Sequence, residues 1–408
     1  MAGLEYPHGE GKIMSIEIRE LTSEDRHRHR ELMEQAFGKG RVVPPPAPDA
    51  PPVEMHGTWG LFEEGKLRAG LGINSYTVHW GLDKTLAMGG IGGVATFVDA
   101  RGKGFVEQLV RRSLEAMRDS GQTISSLFPF AWGFYRKLGW DWVGERHQMK
   151  LPLQEIKAHP EGAKVVCLTG IEARPRLEAG YATFAKRYQG VFTTESHHWH
   201  GKLGHHDNRT TYVYLYEPTG EYFCWRYDAH GDDGQCHDFV VFTPEGHAAL
   251  LSILHYLGTQ CKMARVNVPV DQPLWSYVYH WDLHTEARPV CMGRVVDFAA
   301  ALKQMSLPPD IPNGSVTLHL TDNQAPWNAG VWNITVEDGN LECSALIGGT
   351  ADADIATDIQ TISQAFWGTP SLNQLRRNAG RVQVQDEAAF QWFCKILPGA
   401  SVFMLDDF

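Results

Sequence analysis

Gly89-Gly90-Ile91-Gly92-Gly93-Val94-Ala95-Thr96-Phe97-Val98-Asp99-Ala100-Arg101-Gly102-Lys103-Gly104-Phe105-Val106 is the stretch that decides how this chain reads. An apolar run ends in a glycine-punctuated basic turn, and a helical pattern begins at once. Phe105, Leu109, Leu114 and Met117 fall close to one helical face, and Ser120-Gly121 supplies a C-cap. A strand running into a tight glycine turn at a helix N-terminus builds an anion site. The amides of the first helical turn have no partner within the helix, and the helix dipole favours negative charge there. Gly102 and Gly104 let the backbone approach a phosphate closely, and Arg101 and Lys103 add positive charge. The turn therefore points to a phosphate-bearing ligand; the plainer alternative is an ordinary strand-to-helix connection.

The common nucleotide loops do not fit. The chain has no G-x-x-x-x-G-K-[ST], and no G-x-G-x-x-G between a strand and a helix.

Upstream of the turn, Ile16-Glu17-Ile18-Arg19 alternates like a first strand, and Thr22-Ser23-Glu24-Asp25 opens a helix that reaches Phe37. Residues 1 to 13 read as a loose leader. The proline-rich segment Val43 to Pro52 excludes regular structure, because proline lacks the N–H and disfavours helix before it. It reads equally as a lid or as an inert connection. Trp59 to Phe62 and Leu67 to His79 read as strands around the turn Glu63-Glu64-Gly65. The region up to residue 150 is thus a mixed α/β sheet. A second α/β pattern follows, with helices at Arg176 to Arg187 and Gly246 to Gly258. Its strands lie at Thr211 to Tyr216, Tyr222 to Tyr227, His237 to Phe242 and Ala264 to Val268. It lacks the arginine-glycine turn. From Met292 a third, α+β pattern runs to the end. It has strands at Gly314 to Thr321, Gly330 to Glu337 and Asn340 to Ala345, and helices at Ala356 to Trp367, Ser371 to Asn378 and Asp386 to Lys395.

A chain of 408 residues holds two to four domains. Its net charge of −11 speaks against a general nucleic-acid binder and is compatible with a cationic small-molecule partner or simply with solubility. No apolar run is long enough to span a membrane, and Met1 to Lys12 lacks a signal-peptide core. The seven cysteines are scattered and contain no C-x-x-C, so neither a disulfide framework nor a zinc module follows. A reducing cytoplasm is the expected setting.

The turn resembles the R-x-x-G-x-G/A signature with which GNAT-type N-acetyltransferases hold the pyrophosphate of acetyl-coenzyme A. Arg101 and Gly104 match; Val106 departs from the usual small residue. The chain after residue 14 resembles the Eis (enhanced intracellular survival) family. Its marks are Gly93 to Thr96, Arg101 to Phe105, Phe134-Tyr135-Arg136-Lys137-Leu138-Gly139-Trp140, Arg294-Val295-Val296-Asp297 and the terminal phenylalanine. The resemblance implies an active GNAT domain over 14–150, a second, degenerate GNAT domain over 151–291 and a sterol-carrier-like α+β domain over 292–408. It also implies a homohexamer that acetylates amines of cationic, aminoglycoside-like molecules, with acetyl-coenzyme A as cosubstrate and no metal.

By the same resemblance the main chain of Val94, Ala95 and Thr96 lies along the pantetheine arm. Arg101, Gly102, Lys103, Gly104, Phe105, Val106 and Glu107 hold the pyrophosphate, and Phe130 and Ala131 make a further apolar or backbone contact. Tyr135 matches the general acid that protonates the departing thiolate, although its aromatic surroundings also suit a core residue. The α-carboxylate of Phe408 matches the general base. An unperturbed terminal carboxyl is a weak base, so burial beside the phenylalanine and the like charges of Asp406 and Asp407 is expected to raise its pKa. Asp406 itself is expected to matter less than the terminal group. A frayed tail is the alternative, against which the apolar Val402-Phe403-Met404-Leu405 argues for docking.

Glu195-Ser196-His197-His198-Trp199-His200, with His205, His206 and Asp207, is the densest histidine cluster. Its spacing matches no known ligand motif, and a polar surface or pocket rim is the expectation ahead of zinc. Two other functions compete with small-molecule acetylation: lipid binding through the C-terminal domain, and acetylation of protein lysines.

Overall fold

The computed structural model describes residues 15–45, 47, 52–81, 84–205, 209–228, 233–272, 274–278, 280, 283–346, 352–397, 399 and 401–408. The leader at 1–13, residues 46 and 48–51 of the proline-rich segment, and His206 and Asp207 of the histidine cluster lie outside the described residues. The chain divides into two compact units, one of residues 1–74 and 91–117, the other of 75–90 and 118–408.

The first unit begins with β1 (Ile16–Glu20) and α1 (Arg26–Ala36), followed by β2 (Thr58–Glu63) and the start of β3 (Lys66–His79). It is completed by the end of β4 (Thr85–Thr96) and nearly all of α2 (Phe105–Asp119). β1 pairs antiparallel with β2, and β2 with β3. The β2–β3 turn needs left-handed backbone, with φ of 51° at Glu64 and 72° at Gly65. That conformation suits the twist of a two-residue hairpin. α2 turns Phe105, Leu109, Val110, Ser113, Leu114 and Met117 inward, so the expected helical face is the buried one.

The second unit contains β5 (Ile124–Leu127), α3 (Trp132–Lys137) and β6 (Asp141–Trp142). A seven-stranded sheet follows, built from β7 (Arg146–Pro152), β8 (Val165–Thr169), β9 (Tyr212–Tyr216), β10 (Glu221–Tyr227), β11 (Asp233–Val240), β12 (Met263–Val268) and β13 (His284–Arg288). Its order is β13-β7-β12-β11-β10-β9-β8. α4 (Arg174–Ala185), α5 (Trp199–Leu203) and α6 (Pro244–Leu257) belong to this part. α6 starts on a Thr243 side-chain cap with Pro244 in the first turn, as helix starts favour.

Met292–Val295 forms β14, which pairs antiparallel with both β5 and β6 before α7 (Phe298–Gln304). The five-stranded C-terminal sheet, ordered β17-β16-β15-β18-β19, consists of β15 (Gly314–Thr321), β16 (Gly330–Glu337), β17 (Asn340–Ala345), β18 (Ile355–Asp358) and β19 (Gln383–Val384). α8 (Ile359–Trp367), α9 (Leu372–Ala379) and α10 (Glu387–Ile396) complete it. The helix expected over 356–367 thus begins later, because Asp358 caps it through its side chain and 355–358 pairs as a strand. Phe366, Trp367, Phe390 and Phe393 fill this core, and Trp80 stacks on Phe366 with ring centroids 5.1 Å apart. No helix among the described residues is long and apolar enough to cross a membrane.

Candidate active site

In the first unit, Gly93 takes φ 58° inside β4, a conformation that breaks a regular ladder. Ala95 beyond it is buried, and Val94 and Thr96 are half-buried. At the strand's end Gly102 and Gly104 have φ of 79° and 74°, and nothing stands within 4 Å of where a Cβ would project from either. Only glycine holds that left-handed pair without strain. The Gln108 amide donates to the Gly104 carbonyl at 3.3 Å and closes the first turn of α2. The amides of Phe105, Val106 and Glu107 precede that first intrahelical bond.

The two basic residues of the turn differ. Arg101 is exposed, and its guanidinium makes no contact with another charged group among the described residues. The Lys103 ammonium lies 2.7 Å from Glu63 Oε1 and 5.5 Å above the Phe105 ring. Glu63 also faces Arg68 at 3.3 Å. Arg101 therefore carries the uncommitted charge of the turn. Glu107 pairs with Arg111 at 3.2 Å, one helical turn on. Open space, outward amides and a free guanidinium fit a pyrophosphate group chemically.

The second unit carries the other assigned residues. Ala131, in extended conformation, precedes α3 and places Tyr135 on its buried face at 3% exposure. Phe134 meets the Tyr135 ring edge-on at 5.1 Å and Phe130 meets it at 5.4 Å, while Phe130 itself is 71% exposed. Burial pushes the Tyr135 phenol well above its ordinary value. Its hydroxyl has no hydrogen-bond partner among the described residues, yet it is not among the fully enclosed polar atoms left without one. The phenol therefore keeps its proton at neutral pH and has no internal acceptor among the described residues to hold it, while its raised pKa makes it a weak acid.

The chain end docks. The Phe408 ring packs against Tyr76 at 5.0 Å, Phe128 at 5.1 Å and Phe192 at 6.0 Å. Tyr76 in turn stacks on Phe192 at 4.3 Å. A Cβ on Gly90 would stand 2.6 Å from both the Phe408 and Tyr76 rings, so the seat depends on that glycine. Burial, assisted by the Asp406 charge, pushes the Tyr76 phenol up to about 12.

The acidic residues before Phe408 are not bystanders. Asp407 pairs with Arg146 at 2.5 Å, and its carbonyl faces His198 Nδ1 at 3.2 Å. Asp406 is 1% exposed and lies 2.7 Å from His197 Nδ1. Both like charges are thus compensated, which removes the reason given in the sequence for their raising the terminal pKa. His197 is buried at 4% exposure, so it is no rim residue. The histidine cluster was conspicuous in the sequence; its partners Asp238 and Asp406 were not, since nothing local links positions so far apart. Tyr76 gave no signal at all.

Comparison with known proteins agrees with this build. The family description "Acetyltransferase (GNAT) domain" matches twice, over residues 17–143 and 186–295, and "Sterol carrier protein domain" matches 298–405. An uncharacterized N-acetyltransferase of Streptomyces coelicolor is 27% identical over 162 residues. That match spans 39% of this chain and only 37% of the relative. The GCN5-related N-acetyltransferase of Anabaena variabilis superposes with a TM-score of 0.82 at 20% identity, covering 97% of this chain and 100% of that one. Eis1 from Mycobacterium abscessus does so with a TM-score of 0.77 at 19% identity, again over 97% and 100%. The order of domains expected from the sequence is the one found. The chain carries two GNAT acetyltransferase domains followed by a sterol carrier protein domain, and it has the fold of Eis1.

Proposed function

We propose that the protein transfers acetyl from acetyl-coenzyme A to an amine of a cationic, aminoglycoside-like small molecule by direct attack on the thioester. Acetyl-coenzyme A supplies the activated acetyl group. The turn from Arg101 to Glu107 holds its pyrophosphate, Val94 to Thr96 offer main-chain pairing to the pantetheine amides, and Phe130 and Ala131 add an apolar contact. The Phe408 α-carboxylate takes the proton that the amine nitrogen sheds as the N–C bond forms. Tyr135 gives its phenolic proton to the sulfur as the C–S bond breaks. A cytoplasmic homohexamer is part of the proposal, on family resemblance alone, and light scattering on the purified protein tests that assembly.

The observation that carries this reading is the docked chain end. Phe408 is seated among Tyr76, Phe128 and Phe192 with its two preceding carboxylates neutralised, which is more than a frayed terminus needs. The net charge of −11 favours a cationic acceptor. Thiol release from acetyl-coenzyme A, measured against aminoglycosides, polyamines, arylalkylamines and lysine peptides, tests it. Turnover with aminoglycosides well above the others supports the reading; turnover confined to lysine peptides replaces the acceptor, and none with any amine removes the proposal.

A further inference from the structure

His197 sits just before α5 with its ring between two carboxylates. Nδ1 is 2.7 Å from Asp406 Oδ2, and Nε2 is 3.3 Å from Asp238 Oδ2, within ion-pair reach though poorly aligned for a hydrogen bond. All three side chains are fully buried. An ionised carboxylate only accepts, so a ring facing one at each nitrogen is satisfied only as the doubly protonated imidazolium. Lys202, on α5, reaches Asp238 at 2.8 Å, Asp406 at 3.8 Å and the Leu405 carbonyl at 2.9 Å. Two cations and two anions close a neutral cluster. Such a cluster is costly to break on one side and adds little to net stability.

The surroundings add one further charge, the Arg226 guanidinium, which also feels Asp238. Tyr181 of α4 stacks on the imidazole at 4.2 Å, and Trp199 meets it edge-on at 4.5 Å. On β10, Tyr222 and Cys224 face Asp238, and burial holds both neutral with pKa values pushed well up. Arg226 of β10 turns to the carbonyls of Gly201 and Lys202.

Asp406 and Leu405 belong to the tail, whereas His197, Lys202 and Asp238 belong to the second GNAT domain. We infer that His197 is a positioning residue: as an imidazolium it clasps Asp406 and so fixes how far the terminal carboxylate of Phe408, two residues on, can reach. This rests on the proposed role of that carboxylate as base, but the clasp itself is testable without it. Burial opposes the charged ring, yet Asp406 and then Asp238 outweigh it and raise the His197 pKa above the ordinary imidazole value. The clasp is therefore complete below the ordinary imidazole range and is lost as pH rises through the raised value. Asp238 is pushed down, so acid opens its part of the clasp only well below the usual carboxylate range.

The test compares the full-length wild type with His197→Gln and Asp406→Asn. Its readouts are carboxypeptidase release of Phe408, kcat and KM for acetyl-coenzyme A, and the thermal midpoint. Release is normalised to a free peptide of the same last residues. The clasp predicts release at least about tenfold faster in both variants, because cleavage follows the open fraction. It also predicts kcat at least about tenfold lower, with KM for acetyl-coenzyme A little changed. Wild-type release should accelerate on the alkaline side while His197→Gln stays flat. Faster release with undiminished kcat would keep the clasp and remove the terminal base. A folded His197→Gln whose tail stays protected, or whose pH profile matches wild type, overturns the inference. Should His197→Gln not fold, Asp406→Asn, altered only in the tail, decides by the same release rate.

Discussion

Arg294 on β14 and Asp322 in the loop after β15 meet in a buried two-pronged pair, with Nη2 2.9 and 2.7 Å from the two carboxylate oxygens. The same carboxylate accepts from the Gln324 and Ala325 amides and from Asn328, and the guanidinium also bonds the Leu138 carbonyl. One ion pair thus ties the strand between β5 and β6 to the sterol carrier domain's sheet. Removing the carboxylate strands a buried cation and takes the acceptor from the Gln324 and Ala325 amides, while Asn328 keeps its bond to the Val296 carbonyl. Asp322→Ala is expected to cost about 3–5 kcal/mol, and Asp322→Asn less, since the amide still accepts. Denaturant midpoints check the order; an Ala variant as stable as wild type would show the pair to be incidental.

Gly104 is left-handed with open space ahead of it. A β-branched side chain there is strained by the backbone itself and also fills the approach to the α2 amides. Gly104→Val should weaken acetyl-coenzyme A binding at least tenfold, about 1.4 kcal/mol. Calorimetry on the folded variant measures this, and unchanged affinity would move the pyrophosphate elsewhere.

Tyr135→Phe removes one hydroxyl from an aromatic cluster that it does not otherwise support by hydrogen bonding. Coenzyme binding and folding should hold, while kcat falls roughly 10²–10⁴-fold, the usual share of general acid catalysis. Because burial raises the phenol's pKa, the acid form persists through the neutral and mildly alkaline range. Any rate loss there must come from another group. Near-normal kcat in the variant would return Tyr135 to the core.

Much of this was legible in the sequence because its signals are local. The turn from Arg101 to Gly104 declares its conformation through two glycines, and β15 to β17 announce themselves by strict alternation. The strand at Ile355–Asp358 was missed because it abuts a helix of similar apolar character, and its pairing with β15 is remote. Lys103 looked as free as Arg101, since nothing near it in sequence shows that Glu63 takes its charge. The burial of His197 with Asp406 escaped for the same reason at greater range. Polarity marked the cluster; only the fold supplied the partners.

The Phe408 ring is fixed by Tyr76, Phe128 and Phe192, and Asp406 and Asp407 are fixed by His197 and Arg146. The tail is therefore anchored on both sides of the last peptide bond. Appending one glycine keeps every one of those anchors but moves the carboxylate by ~3.3–3.6 Å, beyond hydrogen-bonding reach of an amine placed for the native group. Deleting Phe408 shifts it the other way and also empties the aromatic seat. Gly90→Ala keeps the carboxylate's chemistry but pushes against the ring at 2.6 Å, so it should lower kcat by less. The extended and shortened enzymes should fold and bind acetyl-coenzyme A as wild type does, yet lose most turnover in the thiol-release assay. If the glycine-extended enzyme acetylates amines at the native rate, the base is a side chain or a bridged water, and the docked terminus serves only to hold the fold.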